Sequence, residues 1–142
     1  MSLSLGIDVG TSGVRTAVLT AQGDVLPMAR TDHVAQKKDY SDADGWWRAV
    51  QTCILRQIEI LWAEGFSPLD ITGIAVDGTS GTMVLTDINL RPVTRALMYN
   101  SSGFDTEAAM IARFAPDLHI TRGSASALAR AMRLAAEDVD HA

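Results

Sequence analysis

The chain has 142 residues, of which 47% are hydrophobic and 20% are charged, and 17 acidic against 12 basic residues give a net charge of -5. These values are typical of a folded globular domain, exclude an intrinsically disordered segment, and leave no basic stripe for nucleic acid. No apolar run approaches the roughly 20 residues that span a bilayer and no positively charged leader begins the chain, so we expect a cytoplasmic protein without membrane contact.

The amino-terminal region is predicted to form three strands. Apolar residues alternate in LSLGIDV, the small residues GTSG follow, and VRTAVLT is then rich in β-branched residues. This order predicts an antiparallel hairpin. A third strand is expected over residues 25–34, where Pro27 marks an interruption or an edge position.

A long amphipathic helix should come next. Residues 35–45 are polar and predict a loop, in which Asp42 or Asp44 can cap a helix that begins near Trp46. Apolar residues then recur at helical spacing until Gly65, a typical C-terminal glycine.

The helix also carries residues whose role the sequence leaves open. Trp46 and Trp47 are predicted to anchor the core, and the alternative is that one of them stacks on a ligand. Cys53 is the only cysteine, which excludes an internal disulfide and a CxxC metal site. We therefore expect Cys53 on the packed face of the helix.

The second half of the chain predicts further strands and two helices. Residues 71–77 are predicted to be a buried strand, and residues 82–87 and 91–100 to be further strands. Residues 104–116 and 124–142 are predicted to be helical. The expected fold class is α/β, a mixed sheet with antiparallel hairpins flanked by helices, in a single domain over the whole chain.

The turn after the first strand carries residue types that bind phosphate. Gly10 and Gly13 allow successive backbone N–H groups to converge on an anion. Asp8 can hold Mg²⁺ against phosphate oxygens, and Arg15 can neutralise phosphate charge. The candidate set is Asp8, Gly10, Thr11, Ser12, Gly13 and Arg15. The alternative is an ordinary hairpin turn whose backbone donates to Asp8; the P-loop and dinucleotide signatures are both absent.

The segment GIDVGTSGVRTAVLTAQGDVL resembles the first phosphate-binding motif of the FGGY carbohydrate kinases. ADGWWRAV, ITGIAVDGTSGTMVLTD and PVTRALMYN resemble the next landmarks of that family in the same order. The resemblance implies a ribonuclease H-like, actin-like ATPase fold in which two domains close on a cleft. This chain would supply part of the N-terminal domain, and the C-terminal domain would be missing.

The resemblance also implies an activity and roles for individual residues. Members of the family transfer the terminal phosphoryl of ATP, with Mg²⁺, to a sugar. A homodimer is a further possible assembly of the protein. Asp8 would serve the magnesium, Thr11 and Ser12 would face the terminal phosphates, and Arg15 would steady phosphate charge.

The second turn, DGTSG, lies where relatives place sugar-contacting residues and resembles the ribulokinase and D-ribulose kinase branches. The sugar-binding candidates are Asp77, Thr79, Ser80 and Gly81, and a ketopentose, ribulose or xylulose, is the implied substrate. Glycerol-specific relatives place an arginine and a glutamate in this turn, and xylulose-specific relatives a methionine and a histidine. The alternative is a tight turn in which Asp77 accepts from its own backbone.

The resemblance assigns no catalytic residue within the chain. The family's base aspartate, its second phosphate motif and its adenosine pocket lie downstream of Ala142, so the isolated chain is expected to be inactive. One alternative is a self-contained anion- or partner-binding module of the actin-like fold without catalysis. Another is a different actin-like ATPase, such as an acetate-kinase or heat-shock relative.

Overall fold

The computed structural model describes residues 2–33 and 40–137. These residues form two compact units, one from Met1–Tyr40 with Asp44–Thr79 and the other from Ser41–Ala43 with Ser80–Ala142. Each unit is described by itself below, and the assignment of both to a single domain stays a prediction.

Unit one is built on a four-stranded mixed sheet, as the sequence predicts. Its strands are β1 (Leu3–Val9), β2 (Gly13–Thr20), β3 (Ala29–Asp32) and β4 (Ile71–Gly78), in the order β3-β2-β1-β4. The pairs β1–β2 and β2–β3 are antiparallel, and β4 runs parallel to β1. A parallel pair needs a crossover connection, which helix α1 (Ala43–Ala63) provides.

One face of this sheet packs against α1. The side chains that alternate inward from the first two strands are buried, among them Leu3, Leu5, Val14 and Val18. Cys53 lies among them, fully buried on the packed face of the helix, as predicted.

The predicted third strand is too long. Only Ala29–Asp32 forms a strand, and Val34 at the predicted end lies outside the described residues. Buried Gln57 of α1 explains where it begins: its Oε1 accepts from the Ala29 N–H at 3.0 Å, and its Nε2 donates to the Pro27 carbonyl at 2.9 Å. Proline has no N–H to offer to a ladder, so regular pairing starts after it.

Helix α1 starts three residues before the predicted position, directly after Asp42. It ends as predicted, because Gly65 has a φ of 80° and the Phe66 N–H donates to the Leu61 carbonyl at 2.9 Å. The prediction that Trp47 anchors the core is wrong, since 60% of this residue is exposed.

The prediction of a buried strand over residues 71–77 is right about the strand and wrong about burial. Ile74 is 65% exposed and Val76 is 69% exposed. The reason is position: β4 is the last strand of the sheet among the described residues, and only Ile71 at its start packs against the core that α1 shares with the sheet.

The strands predicted over residues 82–87 and 91–100 do not form among the described residues of unit two. Single bridges join Met83 to Leu97 and Thr86 to Pro92. Pro92 cannot donate to a ladder. Within the loop that the Thr86–Pro92 bridge closes, the Asp87 carboxylate accepts from two backbone N–H groups, those of Asn89 and Arg91, each at 2.8 Å, and this closes a turn.

The two predicted helices of unit two are confirmed. Helix α2 covers Asp105–Ala112 and α3 covers Ala127–Glu137, and the predicted continuation over residues 138–142 lies outside the described residues. Phe104, Ile111 and Ala129 form the core between them.

The remaining helical segments are short 3-10 turns, Pro68–Asp70 in unit one and Ile120–Arg122 in unit two. Within residues 2–33 and 40–137, no helix is long and apolar enough to cross a membrane.

Candidate functional site

Three charged candidates lie side by side across unit one. Asp8 of β1 is the register partner of Arg15 on β2 and of Asp77 on β4. Side chains alternate between the two faces of a strand, and Ile7 faces α1, so these three project from the opposite, uncovered face. The pairing thus brings together a nucleotide candidate from each strand of the hairpin and a sugar candidate from β4.

Asp8 and Arg15 form an ion pair. The Arg15 Nη1 donates to the Asp8 Oδ2 at 3.2 Å, and the side chains of Arg15 and Asp8 are 56% and 45% exposed. The Asp8 carboxylate thus accepts from the Arg15 side chain, whereas the alternative of an ordinary hairpin turn predicted that it accepts from the backbone of the turn. Such an exposed pair is weak, and both charges stay within reach of a ligand.

An open cavity of about 390 Å³ lies on this face, lined by Asp8, Arg15 and Asp77. Gly6 and Ala75, which pair with one another two positions before Asp8 and Asp77, also line the cavity, and their small size leaves the space open. The cavity therefore combines a small-residue floor with two carboxylates and one guanidinium.

The GTSG turn is closed by its own glycines. The Gly10 N–H donates to the Gly13 carbonyl at 2.9 Å. A Cβ on Gly13 would lie 2.5 Å from the Thr31 carbonyl oxygen and 2.8 Å from the Asp32 Cα, both backbone atoms. Glycine is thus required at position 13 by the close approach of β3. Between the two glycines, Thr11 is half-buried and Ser12 is exposed.

His33 holds this turn from the side. Its backbone N–H donates to the Ser12 carbonyl at 3.1 Å, and its Nε2 lies 2.8 Å from the Gly10 carbonyl oxygen. A carbonyl oxygen can only accept, so Nε2 carries a proton. Sequence reasoning missed this contact: nothing near His33 signals it, since β2–β3 pairing alone brings it to the turn.

The second turn meets the first through two threonines. The Thr79 Oγ1 lies 3.2 Å from the Thr11 Oγ1, and the Thr79 N–H donates to the Val9 carbonyl at 3.3 Å. The Asp77 Oδ1 accepts from the Gly78 N–H at 2.8 Å, as the alternative for this turn predicted. Asp77 is nevertheless exposed and borders the cavity.

The other two sugar candidates, Ser80 and Gly81, belong to unit two. Ser80 is exposed. Gly81 has a φ of 75°, which favours glycine, and its carbonyl accepts from the Arg130 Nε at 2.9 Å. No sequence pattern signals Arg130, which lies 49 residues further along the chain.

The donor set around Asp8 fits magnesium in one way only. Among the described residues, no group of three or more His, Cys, Asp or Glu side chains could hold a metal ion. Mg²⁺ is commonly held by one or two carboxylates together with phosphate oxygens and water. Asp8, with Asp77 on the neighbouring strand, fits that mode and not an all-protein metal cage.

The sequence matches the FGGY family of carbohydrate kinases, N-terminal domain, over residues 3–117. It is 25% identical over 125 residues to the xylulose kinase of Escherichia coli (strain K12), an alignment that covers 84% of this chain and 25% of that protein.

Solved structures share the fold. The xylulose kinase from Rhodospirillum rubrum superposes with a TM-score of 0.65 at 16% identity, covering 80% of this chain and 23% of that one. Plasmodium falciparum glycerol kinase with ADP gives 0.60 at 13% identity, covering 82% and 24%. The chain thus spans about a quarter of the length of these proteins.

Proposed function

Because this chain belongs to the FGGY family of carbohydrate kinases, we propose that it is the amino-terminal part of an enzyme that transfers the terminal phosphoryl of ATP to a sugar. The observation that carries the proposal is the exposed Asp8–Arg15 pair beside the glycine-closed GTSG turn. Phosphoryl transfer depends on positioning and on charge stabilisation, and this arrangement presents a carboxylate, a guanidinium and turn hydroxyls together.

Each residue of the first turn has a role in this proposal. Asp8 holds Mg²⁺ or its waters, and the ion would neutralise charge on the transferred phosphoryl. Arg15 steadies the phosphate charge, and the hydroxyls of Thr11 and Ser12 donate to phosphate oxygens. Gly10 and Gly13 keep the turn tight enough for backbone N–H groups to approach the nucleotide.

The second turn would bind the sugar. The contact between Thr11 and Thr79 supports a sugar site that begins next to the phosphate site, as transfer between the two substrates requires. Asp77 and Ser80 would offer polar groups to sugar hydroxyls, and Gly81 would let the backbone of the turn approach the sugar.

A ketopentose is the proposed substrate, with ribulose ahead of xylulose and glycerol behind both. The similar E. coli protein is a xylulose kinase, which supports a pentulose. The preference for ribulose over xylulose rests on the sequence of the turn. It contains Thr79 and Ser80 and lacks the methionine and histidine of xylulose-specific relatives.

The remaining parts of the active site would come from the rest of the polypeptide. The relatives are about four times as long as this chain, which leaves room for a base aspartate and an adenosine pocket beyond Ala142. ATP as co-substrate implies a cytoplasmic site of action, and the homodimer that the resemblance leaves open stays a prediction.

A sugar panel assayed with the full-length protein tests the proposal, with ADP release as the readout. We expect kcat/KM to be highest for D-ribulose, lower for D-xylulose and lowest for glycerol. A clear preference for glycerol or an aldohexose would overturn the substrate assignment, and no sugar-dependent ADP release from any sugar would favour a binding module. Ser80→Met should raise the KM for the ketopentose before that for ATP; the reverse order would assign the turn to the nucleotide.

A further inference from the structure

Arg130 of α3 is a buried cation that donates to four backbone carbonyls. The residue is 4% exposed. Its Nε donates to the Gly81 oxygen at 2.9 Å, and its Nη1 donates to the oxygens of Tyr99 at 2.8 Å and Ala125 at 2.7 Å, with Ser101 at 3.4 Å. Burying a guanidinium is costly unless its donors are satisfied, so this geometry has to be maintained by the packing of unit two.

These hydrogen bonds join three separate pieces of chain. One piece is the turn at Gly81, the second is the loop of Tyr99 and Ser101, and the third is Ala125 just before α3. A planar guanidinium holds several acceptors at fixed mutual positions, which the single ammonium of a lysine cannot reproduce. Arg130 therefore sets the spacing between the turn and the loop.

Gly81 and Arg130 constrain one another. A Cβ built on Gly81 would lie 2.8 Å from the Arg130 Nη2, so the guanidinium can approach this closely only because position 81 is a glycine. The Tyr99 N–H donates to the Thr82 Oγ1 at 2.9 Å, which ties the same loop to the residue after the turn. The turn is thus held through its carbonyl by Arg130 and through its neighbour by Tyr99.

We infer that Arg130 is a positioning residue for sugar binding: it fixes the turn at Ser80 and Gly81 against the loop of Tyr99 and Ser101 and so sets sugar affinity without touching the sugar. This inference rests on the proposed function, which assigns Ser80 and Gly81 to the sugar. It adds a determinant of substrate affinity that lies 49 residues away along the chain.

The test compares Arg130→Lys with Arg133→Lys in the full-length protein. Arg133 lies one turn further along α3 and binds Glu107, so its substitution perturbs the same helix but leaves the turn at Gly81 alone. We expect Arg130→Lys to raise the KM for the ketopentose by about tenfold while the KM for ATP stays unchanged, because small displacements of binding groups are costly. Arg133→Lys should lower the melting temperature and leave both KM values unchanged.

Arg130→Gln provides the same comparison if the lysine variant does not fold, since it removes the charge and keeps an amide donor. In each folded Arg130 variant, backbone amide hydrogen exchange at residues 81–83 and 99–101 should be faster than in the wild type. An unchanged sugar KM in an active, folded Arg130 variant would overturn the inference alone, as would an equal rise in the KM values for sugar and ATP. A wild-type protein without sugar kinase activity would instead overturn the proposed function, and with it the assignment of this turn to a sugar.

Discussion

Asp8 and Arg15 face one another across two adjacent strands with side chains about half exposed. An exposed pair of this kind contributes little to folding, since solvent screens it. Both charges can therefore bind a ligand at little cost to the folded state. At the scale of single residues, we expect substitutions of Asp8 and Arg15 to change ligand binding and catalysis much more than the stability of the fold.

We expect Asp8→Ala, and likewise Arg15→Ala, to lower kcat of the full-length enzyme by at least about a hundredfold, because both groups act on transition-state charge. The melting temperature should change little. Arg30→Ala is the matched control: Arg30 is the register neighbour of Arg15 on β3 and forms its own exposed pair with Asp32. Steady-state kinetics and thermal unfolding measure both effects. If Asp8→Ala lost folding yet kept normal specific activity in the folded remainder, the turn would be structural.

Gly13 gives a test of packing at the same turn. We expect Gly13→Ala to lower the free energy of unfolding by about 2 kcal/mol, because the added methyl group would overlap the backbone of β3. Gly73→Ala on β4 is the control, since a Cβ there meets nothing within 4 Å, and it should be neutral. Urea unfolding of the 142-residue chain measures both. Equal stability of the two variants would contradict the close approach of β3.

The charged turn could be predicted at this scale because its residue types are adjacent in the sequence. His33 and Arg130 could not, since each binds backbone carbonyls far away along the chain. Every residue has a backbone carbonyl, so the amino-acid sequence does not show which carbonyl will accept a hydrogen bond from a given side chain. Such contacts become visible only when strand register and helix packing are known.

At the scale of elements, local pattern decides which segments form and tertiary position decides which are buried. The β-branched run of β4 forms a strand as predicted, but Ile74 and Val76 are exposed because β4 is the outermost strand on its side of the sheet among residues 2–33 and 40–137. Residues 82–87 have strand-like composition, yet the Asp87 turn and Pro92 limit them to single bridges. The periodicity of α1 predicts its extent better than it predicts the environment of Trp47.

Helices α2 and α3 are joined by Glu107 and Arg133. The guanidinium donates to both carboxylate oxygens, at 2.6 and 3.0 Å, and this hydrogen bonding holds the pKa of Glu107 below the ordinary glutamate value. A carboxyl group whose pKa falls on folding stabilises the protein above its unfolded pKa. That contribution is lost as the pH falls through the folded value.

We therefore expect Glu107→Gln to be less stable than wild type at pH 7, and the difference to shrink as the pH falls below the ordinary glutamate pKa. Urea unfolding across that range measures it. Glu59→Gln, at an exposed position on α1, is the control for the loss of one carboxylate elsewhere in the chain. A difference between wild type and Glu107→Gln that is independent of pH would show that the loss comes from packing and not from the charge.

At the scale of the whole molecule, the family could be predicted because several landmarks occur in order between residues 3 and 117. The mixed sheet follows from the same segments. The division into two compact units could not be predicted, since the boundary after Thr79 falls inside a run of small residues without a linker composition. The chain spans about a quarter of its relatives, so activity belongs to the longer protein in our proposal.

The most direct test of the proposed kinase is sugar-dependent ADP formation, measured side by side for the full-length protein and the isolated 142-residue chain with a ketopentose and ATP. We expect the full-length protein to turn over and the isolated chain to be inactive, because the base aspartate and the adenosine pocket are assigned beyond Ala142. Sugar phosphorylation by the isolated chain would contradict the assignment of the base to the missing part, and a full-length protein inert toward every sugar would contradict the kinase itself.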